Sequence, residues 1–183
     1  MTTYPTTPLL LCIDLQPSFL AAIPDSPRVH RRCCFALEVA KGLGLSILFT
    51  EQVPEKLGHT SQDLLALCDE PEIVGKDTFS IFADKRIATH IKEKGLKRLL
   101  ICGIETPVCV YQTARDALKA GYNVTLLSDC LGARRSGDAA AVLAQLAHDG
   151  CAVLPAETVF YSLLHHARHP FFRPYTTLVK KYG

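Results

Sequence analysis

Short, mostly apolar runs alternating with longer amphipathic stretches constrain this chain more than any other feature of its sequence. Residues 9–13, 45–50, 97–102, 123–128 and 151–154 read as strands, with a brief further strand over 72–75. Helical spacing of apolar residues fills the intervals: 28–41, where Val29, Cys33, Ala36, Leu37 and Ala40 share a face; a short helix over 61–67; 84–94, with Ile87, Ala88 and Ile91 inward; and 136–149, capped by Ser136. Two helical segments, 156–167 and 171–181, close the chain around His169-Pro170. Strands that alternate with helices of this length pair in parallel, and parallel strands covered on both faces are apolar throughout instead of alternating. The expected fold is α/β: a three-layer, doubly wound sheet of about six parallel strands with helices on both faces, forming one domain over residues 1–183.

Composition narrows the class. A chain of 183 residues with 48% hydrophobic and 21% charged residues has ample material for one such core. The net charge of +2 and the scattered basic residues argue against a nucleic-acid surface. Arg31-Arg32, Arg134-Arg135 and Lys180-Lys181 read as solvated positions. The eight cysteines form no C-x-x-C pair and several lie inside apolar runs, which points to a reducing compartment and away from a disulfide framework or a zinc site. The first residues lack a secretory pattern, and no apolar run approaches the ~20 residues that span a bilayer. The expectation is a cytoplasmic protein with no membrane partner. Gly42-Leu43-Gly44 joins a helix to a strand, the wrong order for a phosphate-binding loop.

Three reactive side chains fall at strand exits, where sheets of this kind bind ligands: Asp14, Lys76 and Cys109. Taken singly, each has a plainer reading, as a turn residue, a solvated lysine and a core thiol. Around Cys109 the local pattern is specific. Thr106 stands at an N-cap position, Pro107 at the first helical one, and Gly121 just past the helix end. This puts Cys109 in the first turn of a helix, where partial positive charge favours a thiolate. A thiol also needs a base to take its proton and a cation to balance the charge.

The blocks Ile13-Asp14-Leu15-Gln16-Pro17-Ser18-Phe19, Gly75-Lys76-Asp77-Thr78-Phe79-Ser80 and Gly103-Ile104-Glu105-Thr106-Pro107-Val108-Cys109-Val110 resemble the three signature blocks of the isochorismatase-like cysteine hydrolases. The likeness continues through Gln112-Thr113-Ala114, Leu127-Ser128-Asp129 and the closing helices. With Thr50-Glu51-Gln52 it is nearest the isochorismatase domain-containing proteins. It implies a Cys109–Asp14–Lys76 triad: Cys109 attacks a carbonyl carbon and passes through a thioester-type intermediate, Asp14 shuttles the proton, and Lys76 orients Asp14 and favours the thiolate. It also implies a cis, non-proline peptide at Ile104–Glu105, with an oxyanion hole from the N–H groups of Glu105 and Cys109. Pocket walls are expected from the loops after Phe19, around 51–60 and around 78–82, with Phe19, Gln52 and Phe79 meeting substrate.

The nicotinamidases of the same superfamily hold a metal with an Asp-x-His pair, where this chain has Thr50-Glu51-Gln52-Val53-Pro54 and only His59 nearby. No metal or other cofactor is therefore expected. The leading expectation is a metal-independent hydrolase of a small amide, ureide or related carbonyl compound, cleaving a C–N bond. The partners are then the small-molecule substrate and further copies of the chain in a homo-oligomer, with the last two helices as interface material. The alternatives are a non-catalytic interaction protein that keeps the fold, an isochorismatase-type vinyl ether hydrolase, and a redox-sensing Cys109 with Cys102 or Cys130 as its resolving thiol.

Overall fold

The computed structural model describes residues 7–183. Strands β1 (Leu9–Ile13), β2 (Ser46–Gln52), β3 (Glu72–Lys76), β4 (Arg98–Gly103), β5 (Asn123–Leu131) and β6 (Ala152–Leu154) form one parallel sheet in the order 3-2-1-4-5-6. β1 is central and buried along its whole length, in register with β2 (Ile13 beside Thr50) and with β4 (Ile13 beside Gly103).

Successive β1 residues point to opposite faces, and each face carries its own core. Leu10 and Cys12 pack with α2 (Ser26–Gly42), α8 (Ala156–Leu164) and α9 (Phe172–Tyr182); Leu9, Leu11 and Ile13 pack with α5 (Lys85–Glu93), α6 (Tyr111–Lys119) and α7 (Ser136–His148). The single-turn helices α1 (Pro17–Leu20), α3 (Pro54–Leu57) and α4 (Gln62–Leu65) occupy the loops after β1 and β2. The three-layer expectation is met. Among the described residues, no helix is long and apolar enough to cross a membrane.

Local chemistry explains the elements. The α2 residues Val29, Cys33, Ala36, Leu37 and Ala40 are all buried on its sheet-facing side. Asp84 caps α5 by accepting from the N–H groups of Arg86 and Ile87, and Ile87 and Ile91 are its buried residues, with Ala88 only half-buried. Phe35 is fully buried between Phe160, Tyr175 and Tyr182, a burial worth about 2–3 kcal/mol. Phe160, Leu164 and Tyr175 of α8 and α9 thus serve the core, while Tyr161 on α8 stays exposed. The carbonyls that end α9 accept from Arg31 and Arg32, and Arg32 also pairs with Asp129 at 2.7 Å. Arg31 is exposed, as expected of a solvated position, whereas Arg32 is half-buried and acts as a structural fastener.

The structure moves several boundaries. β2 runs two residues beyond the expected end, so Glu51 and Gln52 lie inside the sheet and not in a polar loop; Gly75 and Lys76 pair with them, and their side chains find partners. β5 continues to Leu131 past an irregularity against β4. Before α6 comes a π turn, Thr106–Val110, in which the Glu105 carbonyl accepts from both Val108 and Val110. Thr106 is no cap: its hydroxyl and its N–H both donate to the Gly132 carbonyl. Arg135, not Ser136, precedes α7, and it makes no side-chain cap.

Candidate active site

The strand order reverses direction between β1 and β4, and their following loops part there to leave a crevice. Gly103 makes the crevice tight. Its φ is +115°, and a Cβ there would sit 2.1 Å from the Ile13 carbonyl oxygen, so only glycine fits. Ile104 N–H then donates to that carbonyl at 2.9 Å, and the Ile104–Glu105 peptide is cis. The loop carrying Cys109 is thereby drawn over the end of β1.

Asp14 is the first residue beyond β1. Its φ is +51°, a left-handed conformation that Asp tolerates better than most residues. Its N–H donates to the Thr50 carbonyl at 3.1 Å. Of its carboxylate oxygens, Oδ1 accepts from the Thr50 hydroxyl at 2.7 Å and Oδ2 from Lys76 Nζ at 2.8 Å. Lys76, the last residue of β3, comes from two strands away; its Nζ also donates to Gln52 Oε1 and lies 3.9 Å from Cys109 Sγ. Asp14 and Lys76 are both buried, with side-chain exposures of 1% and 0%. The structure therefore brings the three strand-exit residues together.

Cys109 is 6% exposed, and burial pushes its thiol up to about 12. The Asp14 carboxylate adds to this, while Lys76 and the Glu105 N–H oppose it. The resting group is a protonated thiol beside a carboxylate. This departs from the expected thiolate at a helix N-terminus, because the residue lies in a buried π turn and faces a negative charge. Among the described residues, no backbone carbonyl accepts from the Glu105 N–H, which is directed at the Cys109 sulfur.

A cavity of about 410 Å³ opens over Cys109, lined by Phe19, Ile23, Phe79, Ile104, Val108 and Arg134 among others. Phe19, Gln52 and Phe79 all reach its wall, but Gln52 has its carboxamide turned away, Oε1 to Lys76 and Nε2 to the Asp77 carbonyl at 3.0 Å. Gln52 holds the lysine. Gln16 and Thr50 escaped sequence reasoning, and Arg134, which follows the fifth strand, had the site mouth only as its second reading. Gln16 is buried and clamps β2, accepting from Gln52 N–H at 2.7 Å and donating to the Gln52 carbonyl. A polar residue directly after a buried strand and before Pro17 was the available signal. Arg134, expected in solvent, lies at the cavity mouth and donates from Nε to Glu105 Oε2 at 2.9 Å and from its N–H to Oε1.

At the end of β2, Glu51 accepts from the Thr60 N–H at 2.7 Å and meets His59 at 3.0 Å. One carboxylate with both oxygens engaged and one imidazole bonded to it make a poor metal donor set, and Gln52 is committed to Lys76. The residues do not fit the metal of the nicotinamidases. Cys102 and Cys130 belong to the opposite core with Cys12 and Cys33, and Cys102 Sγ contacts Cys12 Sγ at 3.5 Å. Neither is placed to resolve an oxidised Cys109.

Similarity to known proteins agrees with this layout. Isochorismatase family protein 1A of Dictyostelium discoideum is 34% identical over 174 residues, covering 92% of this chain and 84% of its own length. Isochorismatase domain-containing protein 2A of Mus musculus is 32% identical over 177 residues, covering 97% and 84%. A solved structure described as a MAR1 ribonuclease from Caenorhabditis elegans superposes with a TM-score of 0.89 at 29% identity, over 96% of this chain and 91% of that one. The family model described as the isochorismatase domain matches residues 8–158, and this chain therefore belongs to the isochorismatase-like hydrolase family.

Proposed function

We propose that this protein is a metal-independent cysteine hydrolase that cleaves the C–N bond of a small amide, ureide or related carbonyl compound. The observation that carries the reading is the convergence of a nucleophile, a base and a cation beneath one cavity: Lys76 Nζ is 2.8 Å from Asp14 and 3.9 Å from Cys109 Sγ. Cys109 Sγ attacks the carbonyl carbon while Asp14 takes the thiol proton, so no free thiolate has to accumulate. The oxyanion is held by the N–H groups of Glu105 and Cys109. Asp14 returns the proton to the leaving nitrogen, the C–N bond breaks and a thioester remains. Asp14 then deprotonates an incoming water, the C–S bond breaks, and the acid leaves as the Cys109 thiol is restored. Lys76 keeps Asp14 aligned and balances its charge throughout.

The test is turnover of a panel of small amides and ureides by the wild type and by Cys109→Ala, with the fold monitored by circular dichroism. A loss on the order of a thousandfold or more is expected from the variant. Retained amide turnover by the variant would refute Cys109 as the nucleophile; an inert wild type would favour vinyl ether cleavage, which needs no cysteine, or a non-catalytic partner-binding role. Among the described residues, both cations near the cavity, Lys76 and Arg134, are paired with carboxylates, which disfavours a phosphodiester there. A cytoplasmic setting is part of the proposal, supported by eight cysteines that are all unbridged. So is a homo-oligomer, supported by one exposed apolar residue on each sheet edge, Ile73 on β3 and Leu154 on β6. A monomeric mass in solution would reject it.

A further inference from the structure

We propose that the Glu105–Arg134 pair is a charge filter at the cavity mouth, so that the substrate is an uncharged amide with an apolar body. This rests on the cysteine-hydrolase reading only for the word amide. Phe19, Ala22, Ile23, Phe79, Ile104 and Val108 supply most of the wall and offer no charge and no side-chain hydrogen bond. Gln52 has both ends of its carboxamide engaged. Among the described residues, Glu105 and Arg134 are the charged groups lining the cavity, and they neutralise each other through Nε at 2.9 Å and the Arg134 N–H at 3.1 Å. Beneath them Lys76 and Asp14 do the same.

An anionic substrate would draw Arg134 from Glu105, leaving a carboxylate that is only 19% exposed without its charged partner. A cationic one would have to compete with Arg134 for Glu105, the carboxylate on the cavity wall. A neutral body disturbs neither partner. The pair is more than a staple between loops, because Thr106 already fastens them with two bonds to the Gly132 carbonyl.

The experiment compares the rate of Cys109 alkylation by neutral iodoacetamide and anionic iodoacetate, read by peptide mass spectrometry, in the wild type, Glu105→Gln and Arg134→Leu. Both reagents meet the same thiol, so their rate ratio isolates the charge at the mouth from any change in sulfur reactivity. Glu105→Gln frees Arg134 and is expected to lower the iodoacetamide-to-iodoacetate ratio about tenfold; Arg134→Leu frees Glu105 and is expected to raise it about tenfold. Both shifts shrink in about 1 M salt. Ratios within twofold of wild type would overturn the filter. Arg134 is 58% exposed on a loop, so if Glu105→Gln fails to fold, the Arg134→Leu ratio decides alone. Alkylation requires no hydrolysis. Failure of every amide to turn over would sink the cysteine-hydrolase reading while leaving the ratio test standing.

Discussion

Replacing Lys76 with methionine tests the buried ion pair at the heart of the site. Methionine nearly matches the length and volume of lysine, so the change removes charge with little loss of packing. Asp14, 1% exposed, would lose its only charged partner and keep the neutral Thr50 hydroxyl at 2.7 Å and the Cys109 thiol, and Gln52 Oε1 would lose its donor. Orphaning a buried charge costs about 3–5 kcal/mol, a large share of the ~5–15 kcal/mol that holds a domain together. The intact pair itself contributes far less, because desolvation of both ions offsets most of their attraction. Asp14→Asn/Lys76→Met should therefore recover at least about 2 kcal/mol of what Lys76→Met loses. Asparagine is the right partner substitution, since it accepts the φ of +51°. Urea unfolding of wild type, both single variants and the double variant gives the cycle, with the slope checked for constancy. A loss below about 1 kcal/mol, or a double variant as unstable as the sum of the singles, would refute the reasoning.

Three further outcomes follow from the same geometry. Since the Cys109 thiol is pushed up to about 12, its alkylation by iodoacetamide should rise about tenfold per pH unit through the neutral range with no plateau; a plateau near neutrality would mean the thiolate is already formed. Gly103→Ala should cost more than about 3 kcal/mol or prevent folding, because the added Cβ meets the Ile13 carbonyl at 2.1 Å, and a thermal midpoint within a few degrees of wild type would contradict that close approach. Gln52→Leu should lower kcat about tenfold with KM little changed, because Gln52 holds Lys76 and does not hold substrate; a raised KM with unchanged kcat would reverse that assignment.

The fold and the three candidate site residues were legible in the sequence for different reasons. Buried parallel strands leave an unambiguous apolar trace, and β1 and β4 lie within a residue of where their runs predict. Asp14, Lys76 and Cys109 were visible because strand exits are where ligands bind in such sheets. What stayed hidden were groups whose roles depend on partners far away in sequence. Glu51 and Gln52 are polar, so the end of β2 looked like loop until Lys76, Thr60 and His59 were seen to satisfy them. Thr106 had the right residue type and spacing for a cap, yet Gly132 offered its hydroxyl a better acceptor. Arg134 looked solvated because nothing local announces Glu105 as its partner. The charge state of Cys109 was misjudged for the same reason: a helix start suggests a thiolate, while burial and Asp14 hold the proton on.

The central claim is that Cys109 carries the acyl group during turnover. The direct measurement is rapid-quench peptide mass spectrometry of the wild type working on a hydrolysed amide, with hydroxylamine present in a parallel run. The account predicts a mass increase equal to the acyl group on the peptide bearing Cys109, absent in Cys109→Ala, and diversion of product to the hydroxamate. Sustained turnover with Cys109 unmodified and no hydroxamate formed would contradict it.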